Sequence, residues 1–311
     1  MSGRCLICAK PDAGELEYHK SCSRNFFGTW PPPTLDVALD DLQQYAAISV
    51  LERITVTGVQ KKLSVNIERH DKDSCFTVVG LWGNFILKPP VEEYPHLPEN
   101  EDIIMRIASL AGIPVVPHAM IRLASGELAF ITRRIDRVNR GEKIAMEDFC
   151  QISGRLTEDK YKGSVERIGR LLHTYSVYPG LDAVDLFERV IFNYLCGNAD
   201  MHLKNYSLVE TSKGMRLSPA YDLVSTKLVI PDDPEESALT INGKKARLSK
   251  KDFDTLADSL GVRKPAAGKI FQKFTDLEER FTGYNKTISY LADSMQQTLC
   301  DLIRVRMTTF R

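Results

Sequence analysis

Residues 197–205, with the sequence GNADMHLKN, limit the possible folds and functions of this chain more than any other segment. They place Asp200 five residues before Asn205, and a second aspartate, Asp222, follows after a stretch that fits a short hairpin. A phosphoryl-transfer site needs one carboxylate that accepts the proton of a hydroxyl, and an amide and a second carboxylate that hold magnesium. The spacing predicts Asp200 as the base and Asn205 and Asp222 as Mg²⁺ ligands. Taken alone, the same letters also fit a loop of turn-forming polar residues.

A glycine-containing hairpin is predicted upstream. Residues 53–67 alternate β-branched and polar residues around Gly58, which indicates a strand, a tight loop and a second strand. Such a hairpin can place backbone N–H groups and Lys62 over nucleotide phosphates, as the glycine-rich loop of a kinase does. With one glycine instead of three, it also fits an ordinary hairpin.

An apolar strand, residues 84–90, carries Lys88, a charged side chain that needs a partner if it is buried. Thirteen residues later, Glu101 lies in the first turns of a predicted amphipathic helix, residues 98–110. Lys88 and Glu101 therefore fit the strand lysine and helix glutamate that position the α- and β-phosphates of ATP.

Seven motifs follow one another from about residue 50 to the C-terminus: TxTGVQxK, FILKP, NExxxxRIA, RIDR, EDFCQ, GNADMHLKN and LSPAYDL. Together they resemble the HipA-type toxin kinases of bacterial toxin–antitoxin systems. The resemblance implies an α+β, two-lobed protein-kinase-like fold with a β-rich small lobe and a mostly helical large lobe. It also implies an ATP- and Mg²⁺-dependent serine/threonine protein kinase that phosphorylates targets such as an aminoacyl-tRNA synthetase and stalls translation. A helix-turn-helix antitoxin would hold it in check and supply the DNA contact.

The resemblance also assigns the nucleotide site, by matched position. It would comprise the glycine-containing loop, the strand lysine with its glutamate, the hinge, the catalytic loop and the turn that follows: Thr57, Gly58, Val59, Gln60, Lys61, Lys62, Lys88, Glu101, Arg133, Ile135, His202, Asn205, Tyr221 and Asp222. Because the hinge lacks an acidic residue, backbone groups would have to recognise adenine. Lys204 can stabilise charge on the transferred phosphoryl group. His202 can brace the loop or touch a phosphate, and bracing is favoured.

Autophosphorylation is expected in the glycine-containing loop. In the resembling kinases a serine at the position of Thr55 is phosphorylated by the kinase itself, and related short members carry a second hydroxyl at the position of Thr57. Both positions are threonine here, and a phosphate there is expected to lower activity. Threonine is also simply a common strand residue.

A separate cluster of metal-ligand types lies near the N-terminus. Cys5 and Cys8, followed by His19 and Cys22, have the spacing of a zinc knuckle. Zn²⁺ is one interpretation. The other is a short module packed by its cysteines without metal.

Three zones are expected along the chain: a Cys/His module in residues 1–50, a β-rich lobe in 51–137 and a helical lobe in 138–311. Longer HipA-type kinases have a further β-rich subdomain of roughly a hundred residues before the loop, where about fifty residues stand here. The chain thus resembles the toxin of three-component, HipBST-like systems, and a small companion protein is expected to supply that subdomain.

Charge and cysteine content limit the expected partners and cellular compartment of the protein. The 41 acidic and 41 basic residues balance, which argues against a large sequence-independent hold on nucleic acid. The seven cysteines are odd in number and scattered, which favours a reducing cytoplasm. With no apolar run long enough for a bilayer and no signal-peptide core, a cytoplasmic protein without membrane contact is expected.

Two other functions compete with the protein kinase. A small-molecule kinase would need the same metal ligands and base. A catalytically weak co-repressor component would not need them, and the presence of Asp200, Asn205 and Asp222 with Lys88 speaks against it.

Overall fold

The computed structural model describes residues 3–42, 62–70, 73–79, 82–138 and 142–311 of the 311-residue chain. The chain divides into two compact units. The first comprises residues 1–102, 116–143 and 288–290, and the second comprises residues 103–115, 144–287 and 291–311. No helix in the described ranges is long and apolar enough to cross a bilayer.

The first unit is built around an antiparallel sheet with the strand order β2-β1-β3-β5-β4. Its strands are β1 (Leu63–His70), β2 (Asp73–Val78), β3 (Phe85–Lys88), β4 (His118–Arg122) and β5 (Leu128–Arg133). Apolar side chains alternate with more exposed ones along β1 and β3, so that Val65 and Leu87 are completely buried. Strand β3 ends at Lys88, opposite Phe130 of β5.

Helix α1 (Lys20–Phe26) joins the N-terminal residues to this sheet through aromatic contacts. The ring of Phe26 lies 5.8 Å from that of Phe85, and the ring of Phe27 lies 5.7 Å from that of Phe76. Burying each phenylalanine contributes about 1.5–3 kcal/mol. The N-terminal module and the sheet therefore share one core.

Both edges of the sheet are capped by N-terminal residues. At the β4 edge, Met120 donates its N–H to the carbonyl of Leu6 at 2.8 Å and accepts a bond from the Tyr18 hydroxyl at 3.0 Å. At the β2 edge, Thr34 donates to the carbonyl of Ser74 and accepts from the N–H of Phe76. Backbone N–H and C=O groups that these edge strands would present to solvent at Met120, Ser74 and Phe76 are therefore hydrogen-bonded within the chain.

The second unit is mainly helical. Helix α2 (Leu97–Leu110) begins in the first unit and ends in the second. The remaining helices are α3 (Phe149–Ile152), α4 (Val165–Tyr175), α5 (Pro179–Cys196), α6 (Lys250–Ser259), α7 (Lys264–Ile288) and α8 (Asp293–Met307). The helix predicted from residue 98 starts one residue earlier, at Leu97. The sequence also predicts two C-terminal helices, at about 265–280 and 285–309. They correspond to α7 and α8, and the break between them, at residues 289–292, lies about eight residues later than predicted.

A three-stranded antiparallel sheet, in the order β6-β7-β8, accompanies the helices of the second unit. Its strands are β6 (Met146–Asp148), β7 (Ser207–Thr211) and β8 (Gly214–Leu217). The buried carboxylate of Asp182, in the first turn of α5, accepts bonds from the backbone N–H of Leu217 and from Arg216. This contact fixes the β7–β8 hairpin to the start of α5.

Helix α5 is the buried support of the catalytic-loop sequence. It starts with Pro179, whose fixed φ suits a first helical turn. It ends at Gly197, which has the left-handed φ of 72° and donates its N–H back to the last turn. A Cβ at Gly197 would lie 2.6 Å from the Leu302 side chain, so both the conformation and the space require glycine.

Candidate functional site

Asp200 is held by main-chain bonds immediately after α5. The side chain of Asn198 accepts the N–H of Asp200 at 3.1 Å and donates to Asn193 of α5 at 3.0 Å. The hydroxyl of Thr226 accepts the N–H of Ala199 and donates to the carbonyl of Gly197, both at 2.9 Å. The position of the Asp200 backbone is therefore fixed by neighbours on both sides, independently of its carboxylate.

His202 and Asn205 complete the turn. The backbone N–H of His202 donates to the carbonyl of Asp200 at 2.8 Å, and the Asn205 amide nitrogen donates to the same carbonyl at 3.0 Å. Because its nitrogen is used in this bond, the Asn205 side-chain oxygen is the atom left to serve as a ligand. Both side chains are buried.

Tyr221 and Asp222 follow the β7–β8 hairpin. The Tyr221 hydroxyl donates to the carbonyl of Lys204 at 3.0 Å and is hydrogen-bonded to Ser207. Burial raises the pKa of Tyr221, which keeps it a neutral donor. Asp222 has a φ of 55°, a left-handed conformation uncommon outside glycine, asparagine and aspartate. Tyr221 thus ties the turn that carries Asp222 to the loop that carries Asp200.

Lys204 pairs with an acidic residue that the sequence did not single out. Its ammonium lies 3.1 Å from a carboxylate oxygen of Asp148, and both side chains are largely buried. Asp148 also caps α3 in a reciprocal pair of bonds with Gln151. The D-x-x-Q spacing signals that cap in the sequence, but it does not indicate the bond to Lys204.

Tyr161 is a second residue that the sequence did not indicate. Its hydroxyl donates to the Asp200 carboxylate at 2.6 Å, and its ring meets the His202 ring edge-on at 5.1 Å between centroids. Although Tyr161 is 38% exposed, its partial burial, followed by the bond to Asp200, raises its pKa. The segment that carries Tyr161 has no periodic sequence pattern from which its contact with Asp200 could be predicted.

Lys88 and Glu101 form a buried ion pair in the first unit. The ammonium of Lys88 lies 2.5 Å from a carboxylate oxygen of Glu101, with side-chain exposures of 4% and 0%. The ammonium also lies 5.4 Å from the ring centroid of Phe130. The ends of β3 and the start of α2 therefore bring these two charges together.

The expected hinge residues lie at and after the end of β5. Arg133 is exposed and donates to the carbonyl of Asn25 at 3.1 Å, while Ile135 is half-buried. Burial would raise the pKa of Asp136 beside them, but the bonds and charges of Arg134 and Arg137 hold that pKa below its ordinary value. Lys62 lies immediately before β1. Thr55, Thr57, Gly58, Val59, Gln60 and Lys61 lie outside the described residues.

The Cys/His cluster assembles in the N-terminal module. The sulfurs of Cys5, Cys8 and Cys22 and a ring nitrogen of His19 all lie within 4.8 Å of one another. The Nδ1 atom of His19 is 3.3 Å from the Cys8 sulfur and 3.8 Å from the Cys22 sulfur. Its other ring nitrogen lies 2.8 Å from the carbonyl of Pro11, and its backbone N–H donates to the Cys5 sulfur at 3.4 Å.

Two thiols of this cluster, those of Cys5 and Cys22, have shifted pKa values. Burial would raise the pKa of Cys5, but hydrogen bonds from backbone groups of Cys8, His19 and Ile7 bring it below its ordinary value. Burial and the neighbouring thiols raise the pKa of Cys22 to about 12.

A family model described as the HipA-like C-terminal domain matches residues 54–281. Among curated proteins, the chain is 33% identical to Y4mE of Sinorhizobium fredii over 235 residues, which are 72% of this chain and 55% of that protein. It is 32% identical over 209 residues to the serine/threonine-protein kinase toxin HipA of Shewanella oneidensis, with coverage of 61% and 47%. The chain spans about half the length of these curated relatives.

Among solved structures, the chain is similar to one in the complex of HipA, HipB and operator DNA from Shewanella oneidensis. The TM-score is 0.69 at 24% identity, and the match covers 81% of this chain and 64% of that chain. The likeness confirms the predicted α+β, protein-kinase-like fold, with one unit built on a β-sheet and the other mainly helical.

Proposed function

We propose, since this chain belongs to the HipA-like C-terminal domain family, that it is an ATP- and Mg²⁺-dependent serine/threonine protein kinase. The observation that carries the proposal is the way Asp200 and Asn205 are held together. One bond from the Asn205 amide to the Asp200 carbonyl, at 3.0 Å, sets the spacing between a carboxylate and an amide oxygen. That pair is what a base and a metal ligand of a kinase require.

The reaction assigns one role to each residue. The hydroxyl oxygen of the acceptor forms a bond to the γ-phosphorus, the bond from that phosphorus to ADP breaks, and the hydroxyl proton passes to Asp200. Asn205 and Asp222 would hold Mg²⁺, which supplies positive charge against the phosphate oxygens. Lys204 would offer charge to the transferred group, and Lys88, oriented by Glu101, would bind nucleotide phosphates.

The family match supports a proposal for the biological role. We propose a toxin of a toxin–antitoxin system whose target is an aminoacyl-tRNA synthetase, so that phosphorylation stalls translation. A helix-turn-helix antitoxin would neutralise it and make the DNA contact, in keeping with the complex of HipA, HipB and operator DNA. The short, three-component form and its small companion protein stay predictions from the sequence, to be tested by co-purification.

Labelled ATP added with the protein to a cytosolic extract tests this function. A phosphoprotein band that depends on the protein and on Mg²⁺ supports a protein kinase, and phosphoserine or phosphothreonine in that band identifies the acceptor. Identification of the band names the target. Label that appears only in small molecules would contradict the proposal.

The N-terminal module is proposed to hold structural zinc. Zinc bonds of about 2.3 Å to sulfur place tetrahedral ligand atoms about 3.8 Å apart, which the spread of up to 4.8 Å can reach with small movements. The ring nitrogen of His19 that faces Pro11 would donate to its carbonyl and leave Nδ1 for the metal. Ligating histidines in zinc sites are oriented in this way.

Metal analysis gives the first test of the zinc proposal. Protein purified with reductant and without chelator is expected to contain about one zinc per chain. Cys8→Ser is expected to lower that content severalfold and to lower the melting temperature, because metal-binding free energy contributes to folding. Cys75→Ser, which removes a thiol of strand β2 away from the cluster, is the matched control and should keep its zinc. Wild-type protein without zinc would contradict the site.

Autophosphorylation of Thr55 or Thr57 is also predicted to inhibit the kinase. Alternate strand residues point the same way, and a phosphate adds close to two negative charges where ATP phosphates are expected to bind. Incubation with Mg²⁺ and ATP is expected to phosphorylate one of these threonines and to lower kinase activity several-fold. Mass spectrometry of the wild-type protein, compared with the Asp200→Asn variant, measures the phosphorylation. Unmodified threonines in active enzyme, or a Thr55→Asp, Thr57→Asp protein with unchanged ATP affinity, would refute self-inhibition.

A further inference from the structure

We infer that Tyr161 is a positioning residue for phosphoryl transfer, whose phenol holds the carboxylate of Asp200 in the orientation that receives the acceptor's proton. The inference rests on the proposed function of Asp200 as the base. Its starting point is the 2.6 Å bond from the Tyr161 hydroxyl to Oδ1 of Asp200, which lies within the second unit.

The Asp200 carboxylate needs an external donor to fix its plane. Main-chain bonds hold the backbone of Asp200 in place, but the terminal torsion of an aspartate side chain is broad and does not select one orientation. A short bond from a hydroxyl to a carboxylate is among the stronger hydrogen bonds in proteins. Tyr161 supplies such a bond and so helps to set the orientation of the base.

The segment that carries Tyr161 is fastened on both sides of the residue. The carbonyl of Lys160 accepts the N–H of Leu203 in the catalytic loop at 3.1 Å, and the carbonyl of Gly163 accepts the N–H of Thr240 at 3.1 Å. A Cβ at Gly163 would lie 3.3 Å from the Leu203 side chain, so this segment packs directly on the loop. Hydrogen bonds at two positions within two residues of Tyr161 therefore hold the backbone of this segment in place.

Occupation of Oδ1 by the phenol is compatible with catalysis. An ionised carboxylate has two oxygens and about four acceptor positions, so a bond from Tyr161 does not exhaust its capacity to accept the acceptor hydroxyl. The ring of Tyr161 makes a T-shaped contact with the buried ring of His202. This contact sets the direction from which the phenol approaches Asp200. The phenol thus orients one oxygen while the proton is transferred to the carboxylate.

Tyr161→Phe tests the inference, because it removes the hydroxyl and keeps the ring. We expect kcat for label transfer from ATP to the proteins of a cytosolic extract to fall about tenfold to hundredfold, the effect of losing one hydrogen bond to a charged group. The KM for ATP should stay within about twofold, and the melting temperature should not change. Tyr175→Phe, which removes a hydroxyl from an exposed tyrosine of α4, is the matched control and should leave kcat unchanged.

Three results would overturn the inference. An unchanged kcat would show that the phenol does not orient the base, and a raised kcat would show that it competes with the acceptor hydroxyl. A fall in kcat that is accompanied by a raised KM and a lowered melting temperature would show a structural role. Asp200→Asn separates these results from a failure of the proposed function: if that variant keeps wild-type turnover, or the wild type transfers no label, the assignment of the base itself is wrong.

Discussion

Asp200→Asn is expected to lower phosphoryl transfer at least a hundredfold while the protein stays folded and binds ATP. A positioned base typically contributes 10²–10⁴-fold to the rate. The loop should keep its structure, because its bonds to Asp200 involve backbone atoms: the N–H of Asp200 donates to Asn198, and its carbonyl accepts from His202 and Asn205. Initial rates of label transfer and the Kd for ATP measure the two effects separately.

Asp222→Asn is the comparison that distinguishes a metal ligand from a base. It should also abolish transfer, but unlike Asp200→Asn it should weaken ATP binding in the presence of Mg²⁺, with little effect on binding without it. Turnover of Asp200→Asn within about tenfold of the wild type would contradict the assignment of the base. Equal effects of both variants on Mg²⁺-dependent binding would contradict the division of roles.

Lys88→Met is expected to destabilise the protein by about 3 kcal/mol or more, because removing one member of a buried ion pair leaves a charge that has lost its partner. Glu101 is the charge in question, with a completely buried side chain 2.5 Å from the ammonium. Chemical denaturation measures the loss. Arg304→Ala, which removes one member of an exposed pair with Asp301, should cost only about 0.5 kcal/mol or less.

The double variant Lys88→Met, Glu101→Gln separates stability from function. With both charges removed, much of the lost stability should return, since replacing a buried pair by neutral residues costs little. Phosphoryl transfer should stay low, because the proposed phosphate-binding ammonium is still missing. Recovery of transfer together with stability would show that the pair is structural.

Local patterns were sufficient for much of the fold and for several contacts. The apolar periodicity of residues 98–110 predicted α2 to within one residue at its start, and the need of a buried lysine for a partner led from Lys88 to Glu101. The paired C-x2-C and H-x2-C spacings led to the cluster around His19, since each pair lies within one turn. The helix and the ion pair lie on elements whose faces follow from their periods, and the cysteine cluster follows from short spacings within turns.

Contacts made by irregular segments could not be predicted in this way. The partners Tyr161 and Asp200 are 39 residues apart, and Lys204 and Asp148 are 56 residues apart. Each lies in or beside a loop, where no hydrophobic period fixes the direction of a side chain. Only the packing of the catalytic loop on its neighbours brings them together, so the support of the base was not visible in the sequence.

The capped edges of the five-stranded sheet bear on how the protein avoids self-association. An unpaired edge strand can recruit a strand from a second molecule and start aggregation. Here Leu6 and Tyr18 bond to the outward groups of Met120, and Thr34 bonds to the carbonyl of Ser74 and the N–H of Phe76 on the β2 edge. Folding of the N-terminal module therefore also keeps these edge groups paired, and loss of the module would expose two sites for strand addition at once.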